Sequence, residues 1–291
     1  MNTIVLSLAS LLLTTTPQVD PAPTYTFTVA ASAPSSGEMP FKLTSGYLIQ
    51  VEGRIGMQSN LKFILDTGAS ITIIDQKIAD KLKLDRRTAQ SFNFDRKLKW
   101  DAATLPDLQF GLLHVTDITV FIGRLGEYSE FARNADAIIG MDLLKFTNLS
   151  IDFDAHKITF HPSMQKVSAV PGDPLSQCLI LEVQVQGHPV RLIVDTGLAG
   201  IVLYEERLRQ HVPGLRTSGH LADATMGGRV QVKQATIPDV VFGETNRDVA
   251  VLLVPSPAPD KLPGIDGIVG IAALKAHRIN FDFSARTLHW E

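Results

Sequence analysis

Between residues 46 and 291 the chain runs through one series of landmarks twice, at a nearly constant spacing. Asp66 returns at Asp195, 129 residues on. PDLQFG from Pro106 returns as PDVVFG from Pro238 after 132, DAIIG from Asp136 returns as DGIVG from Asp266 after 130, and Asp152 meets Asp282 after 130. Unrelated landmarks that keep one offset within three residues mark an internal duplication. Such a chain has to fold as two similar lobes, so a reading of either copy constrains the other.

Each copy reads as strands. GYLIQVEGRI (46–55) and LILEVQVQG (179–187) alternate or cluster β-branched and apolar residues. Each is followed by a short polar turn and then by another apolar run, the pattern of a hairpin. IADKLKL after Asp75, MDLLKF and AALKAH are long enough only for single helical turns. The expected class is all-β, with copies spanning 46–160 and 178–291, joined by a linker at 161–177 whose three prolines and one glycine break any period.

Residues 1–45 read differently. The apolar stretch from Ile4 to Leu13 is too short to span a bilayer and suits the core of an export signal, which predicts a periplasmic or secreted protein. No Lys or Arg precedes Lys42, so a basic n-region is missing; AASA at 30–33 offers small residues for cleavage. The Thr, Pro, Ala and Ser content of 14–40 predicts an extended, poorly ordered lead, with packing from about Phe41.

Composition removes several classes of function. A net charge of -3 and a pI near 6.2 give no electrostatic footprint for nucleic acid or an anionic membrane. The single cysteine, Cys178, rules out an internal disulfide and reads as a small buried apolar side chain. The histidines show no metal spacing, and neither Gly-x-Ser-x-Gly nor a phosphate-cradling glycine loop occurs, so no metal or cofactor is expected. Asp152, Asp154 and Asp282 read as turn carboxylates of closing hairpins.

What remains is an acid at the end of an apolar strand, twice: FILDTGASITIID (63–75) and LIVDTGLAGIVLY (192–204). A carboxyl in such surroundings must be paired, hydrogen-bonded or protonated. If the two lobes face each other, Asp66 and Asp195 meet at a local two-fold axis, where two like charges cannot both ionise. One protonated and one ionised carboxyl can activate a water between them and protonate a carbonyl oxygen without a covalent intermediate.

These residues resemble the retropepsin-like and pepsin-like aspartic proteases, in the single-chain form with two Asp-Thr-Gly lobes, the bacterial aspartyl protease type. A lone Asp-Thr-Gly is weak evidence. Here there are two in matching contexts, each followed by the family's apolar-apolar-Gly partner, Ile138-Ile139-Gly140 and Ile268-Val269-Gly270. The resemblance covers nearly all of 46–291 and implies two homologous β-barrel lobes in a pseudo-two-fold bilobal acid protease fold. It implies that Asp66 and Asp195 are catalytic, that Thr67 and Thr196 interlock beneath them, and that Gly68 and Gly197 shape the loops. It further implies a flap, for which Met226-Gly227-Gly228 in the second copy and 91–100 in the first are the candidates. The expected protein is an aspartic endopeptidase, a monomer with an internal pseudo-dimer, that takes a peptide or protein substrate in extended conformation. The alternative is a peptide-binding module that keeps the cleft without turnover. It is motivated by Leu198, which stands where pepsin-like members have Ser or Thr; the first copy has Ala69, as retroviral enzymes do, which points to activity in mild acid. Because no Lys or Arg occurs in 14–41, the lead cannot neutralise the dyad as a basic pro-segment would.

Overall fold

The computed structural model describes residues 26–27, 37–93, 96–128, 132–162, 178–225, 228–257 and 262–291. Most of the expected linker and the whole apolar stretch at 4–13 lie outside them.

Both predicted hairpins form. Leu48–Ile55 pairs antiparallel with Gln58–Leu65, and Ile180–Val185 with His188–Asp195. The inner ends of the second strands, Phe63-Ile64-Leu65 and Leu192-Ile193-Val194, are buried on both faces, as their unbroken apolar runs require. A short strand from the far end of each copy lies parallel to each: Ala137–Ile139 beside Gln58–Leu65, with Ile138 opposite Ile64, and Gly267–Gly270 beside His188–Asp195, with Ile268 opposite Ile193.

The second lobe closes on itself. Its sheet runs Ile180–Val185, His188–Asp195, Gly267–Gly270, Ile201–Tyr204, Thr245–Val254, Gly228–Phe242, and the last strand pairs back to the first through Gln184–Val241 and Val185–Val240. This is a six-stranded barrel. The first lobe follows the same order but departs from the expected second barrel. Its equivalent of the long strand Gly228–Phe242 is split into Arg96–Leu105 and Leu108–Phe110, and the sheet stays a half-barrel. Both lobes carry Pro-Asp at this point, and a proline cannot donate to the ladder. The second lobe absorbs it as a bulge between Ile237 and Val240, with Asp239 at φ 55°, whereas the first breaks the strand.

The lobes are joined by a five-stranded sheet, in the order Gly37–Pro40, Lys157–Pro162, Thr147–Asp152, Arg278–Asp282, Thr287–Trp290. The closing hairpins of both copies sit side by side in it, Leu149 opposite Phe281 and Ile151 opposite Ile279. One buried apolar cluster runs through Leu149, Ile151, Phe160, Ile279 and Phe281 into both lobes. Asp152 and Asp282 cap the hairpin turns by accepting from the Ala155 and Ala285 N–H groups, as expected.

Two differences from the sequence reading concern short elements. The lead expected to be poorly ordered supplies strands at Thr26–Phe27 and Gly37–Pro40, ahead of Lys42–Thr44 in the region expected to pack. Gly37–Pro40 is held by four residues of pairing to Lys157–Phe160 and by an ion pair between Glu38 and Lys157. The helix Glu205–His211 was also not anticipated; Glu205 at its start is buried between Arg209 and Lys233.

Candidate active site

Strand ends and loop turns bring the two Asp-Thr-Gly segments together at the junction of the lobes. Their threonines interlock reciprocally. Thr67 Oγ1 donates to the Val194 carbonyl at 2.8 Å and accepts from the Thr196 N–H at 3.1 Å. Thr196 Oγ1 donates to the Leu65 carbonyl at 2.7 Å and accepts from the Thr67 N–H at 3.0 Å. All four bonds are buried, so none competes with water, and losing a hydroxyl leaves an N–H and a carbonyl unpaired.

Above this lock the two carboxyls are fully buried. Asp66 Oδ1 accepts from the Gly68 N–H at 2.9 Å and the Ala69 N–H at 3.2 Å, and Asp195 Oδ1 from the Gly197 N–H at 2.7 Å. Gly68 has no room for a side chain, because a Cβ there would lie 2.5 Å from the Asp195 carboxyl carbon. Burial pushes Asp66 up to about 6, against the opposing pull of the Asp195 carboxyl and the two N–H groups. Two buried carboxyls brought this close cannot both be charged, so one of the pair holds a proton in mild acid.

The apolar-apolar-Gly segments support the loops from behind. Asp66 N–H donates to the Ile139 carbonyl at 3.0 Å, and the Met141 N–H to the Ala69 carbonyl at 2.7 Å. In the second lobe Gly270 N–H donates to the Gly200 carbonyl at 2.7 Å. Both glycines are required by close approach. A Cβ at Gly140 would lie 2.7 Å from the backbone of Ile71, and one at Gly270 would lie 2.0 Å from the Leu198 carbonyl oxygen.

Leu198 is a core residue of the second lobe. Its side chain is buried in an apolar cluster of the second lobe with Cys178, Ile193, Val232 and Leu252. Strand registers make Leu252 the counterpart of Phe121, each lying opposite an equivalent parallel strand, at Val202 and Ile73. By the same reasoning Val232 matches Trp100, two residues before the partners of Leu252 and Phe121. In the first lobe Trp100 and Phe121 stack at 5.4 Å in the cluster that contains Ala69. Alanine beside two large rings, and leucine beside valine and leucine, fill similar volumes.

The flap candidates fall on or beside hairpins. Ser218–Thr225 pairs with Gly228–Phe242, and Arg87–Asn93 with Arg96–Leu105, so each lobe has a hairpin where the flap was expected, including the first, which has no glycine there. Gly228 opens its strand; Met226 and Gly227 lie outside the described residues. Among the described residues no group of three or more His, Cys, Asp or Glu side chains could hold a metal ion.

Two residues of the site were not anticipated, Thr72 and Asp142. Asp142 is buried, with its carboxyl accepting from the Thr72 N–H at 3.0 Å and the Thr72 hydroxyl at 2.8 Å. The available signal was an acid inside the apolar run IIGMDLLKF, without a counterpart in the second copy.

Comparison with known proteins divides along the same lines. Residues 51–146 match the family described as "gag-polyprotein putative aspartyl protease", and residues 181–273 the family "Aspartyl protease". Among solved structures the chain is similar to a retropepsin-like aspartic protease from Rickettsia conorii, at 21% identity and a TM-score of 0.31, over 47% of this chain and 94% of that one. It is also similar to the EIAV protease complexed with the inhibitor HBY-793, at 14% identity and a TM-score of 0.27, over 37% of this chain and 88% of that one. No curated protein matches the chain.

Proposed function

We propose, because each lobe matches an aspartyl protease family, that this chain is a retropepsin-like endopeptidase that hydrolyses peptide bonds with a water activated between Asp66 and Asp195. The observation that carries this reading is the buried carboxyl pair, held over the reciprocal threonine lock with Asp66 raised to about 6. In the reaction the ionised carboxylate takes a proton from a water as its oxygen attacks the scissile carbonyl carbon. The protonated partner gives its proton to the carbonyl oxygen, so the pair ends the step with one proton exchanged and a neutral tetrahedral diol formed. Collapse of the diol breaks the C–N bond, with a proton passing to the leaving nitrogen. The substrate is an extended peptide, whose backbone groups can be satisfied strand-fashion between the lobes.

The alternative, a binding module without turnover, rested on Leu198. With that side chain packed in the second-lobe core, the reason for it weakens. Export is part of the proposal and is supported by the apolar stretch from Ile4 to Leu13; a fractionation of cells that finds the protein in the cytosol would count against it.

The deciding experiment is cleavage of denatured casein from pH 3 to 7 by the wild type, Asp66→Asn and Asp195→Asn. Activity is expected in mild acid, falling as pH rises through about 6 and the shared proton is lost, and absent from both variants. A wild type that cleaves nothing, yet is stabilised against heat by a peptide-like aspartic protease inhibitor, would establish the binding-module reading instead.

A further inference from the structure

The two lobes support their aspartates by different means. In the first, a chain of contacts leads from a buried carboxyl to the dyad. Asp142 accepts both Thr72 donors and, at 3.1 Å, the Leu143 N–H. The Thr72 hydroxyl accepts in turn from the Gly140 N–H at 3.2 Å. Met141 holds the Ala69 carbonyl, and the Ala69 N–H reaches Asp66 Oδ1. Segments 69–72 and 139–142 are therefore fastened along their whole length, with Asp142 at the far end. In the second lobe the position of Thr72 is taken by the apolar Ile201, that of Asp142 by the exposed Ala272, and the Gly270 N–H bonds a backbone carbonyl instead of a hydroxyl.

We propose that Asp142 is a positioning residue for Asp66, acting through the Thr72 hydroxyl and Gly140; the matching position behind Asp195 is Ala272, which has no carboxyl. A buried carboxyl is costly unless it is put to use by neighbouring donors. Here every assigned donor to it belongs to the turn behind Asp66 or to its own helical turn. Burial pushes Asp142 up to about 6, opposed by Thr72 and by the Lys145 charge, so it does not stabilise the fold as a simple ion pair would. The inference rests on the peptidase reading for its catalytic meaning but not for its geometry.

The test uses the full chain labelled with ¹³C at the Asp carboxyl carbons. Asp142→Asn, Asp66→Asn and Asp195→Asn assign the three buried Asp carboxyl resonances, and the titration of Asp66 is then followed in Thr72→Val, which removes the hydroxyl at nearly constant volume. The Asp66 midpoint is expected to move by at least about half a pH unit, with kcat on a casein-derived peptide reduced about tenfold, KM within about twofold, and most of the loss recovered in Thr72→Ser. A folded Thr72→Val with an unmoved Asp66 midpoint overturns the inference, whatever the turnover. Should Thr72→Val fail to fold, the Asp66 midpoint in Asp142→Asn decides by the same criterion. A wild type without turnover sinks the peptidase reading while the carboxyl titration still decides this one.

Discussion

A leucine directly after an Asp-Thr-Gly looks, as text, like damage to an active site. In place it is a packing residue, because Val232 and Leu252 leave the volume that Trp100 and Phe121 fill in the other lobe. Leu198→Ala should therefore act as a core truncation and destabilise by about 2–4 kcal/mol, measured by denaturant unfolding. Adding Leu252→Phe should recover part of that loss; if the double variant is no more stable than the single, the exchange of volume between the clusters is wrong. The paired aspartates, the threonine lock and both supporting glycines could be read from the sequence because each is tied to a motif that occurs twice in register. Leu198 could not, since its meaning depends on two residues that lie 34 and 54 positions further on and meet it only in the folded lobe. Thr72 and Asp142 escaped for the opposite reason: they occur in one copy, and repetition was what made the rest visible.

At the scale of elements, hairpins with alternating patterns were legible, and short strands that owe their existence to a partner were not. Gly37–Pro40 has neither β-branched residues nor a period; it is a strand because Lys157–Phe160 offers an edge. Its proline ends the strand at that edge, where no further donor is needed. The element shields real surface, since Met39 packs on the shared core and Gly37 lies against Leu112. A chain starting at Phe41 should lose about 2 kcal/mol and about 5 °C in Tm, followed by circular dichroism, and should be no more active per molecule than the longer form. Marked activation on trimming would instead make the lead an inhibitor. The strand break at Pro106-Asp107 against the bulge at Pro238-Asp239 is a similar case: identical dipeptides end a strand in one lobe and bulge it in the other.

For the molecule as a whole, burial of acids gives stability an unusual slope with pH. The folded state holds the Asp142 proton up to about pH 6, whereas the unfolded chain releases it near its ordinary 3.8. The folded state thus binds the extra proton between these values, so the stabilisation is complete below about 3.8 and is lost as pH rises through about 6. The shift corresponds to about 3 kcal/mol. Asp66 is displaced in the same direction. The carboxylates held below their ordinary range, Asp152, Glu205, Glu206 and Asp282, oppose this only from their ordinary values of 3.8 and 4.5 downward. Tm should therefore be higher at pH 4.5 than at pH 7, and Asp142→Asn should flatten the difference; an equal or lower Tm at pH 4.5 would refute it.

The sheet that interleaves the closing hairpins of both halves has one more consequence. A site built at the seam between two separate molecules exists only while they remain associated, and it empties on dilution. Here the seam is crossed by a single polypeptide, so each aspartate meets its counterpart at a local concentration that the solution cannot change. That permanence removes the need for either half to recognise a copy of itself. It leaves each free to specialise, one with a buried acid behind its aspartate and the other with Ile201 and Ala272 at the equivalent positions.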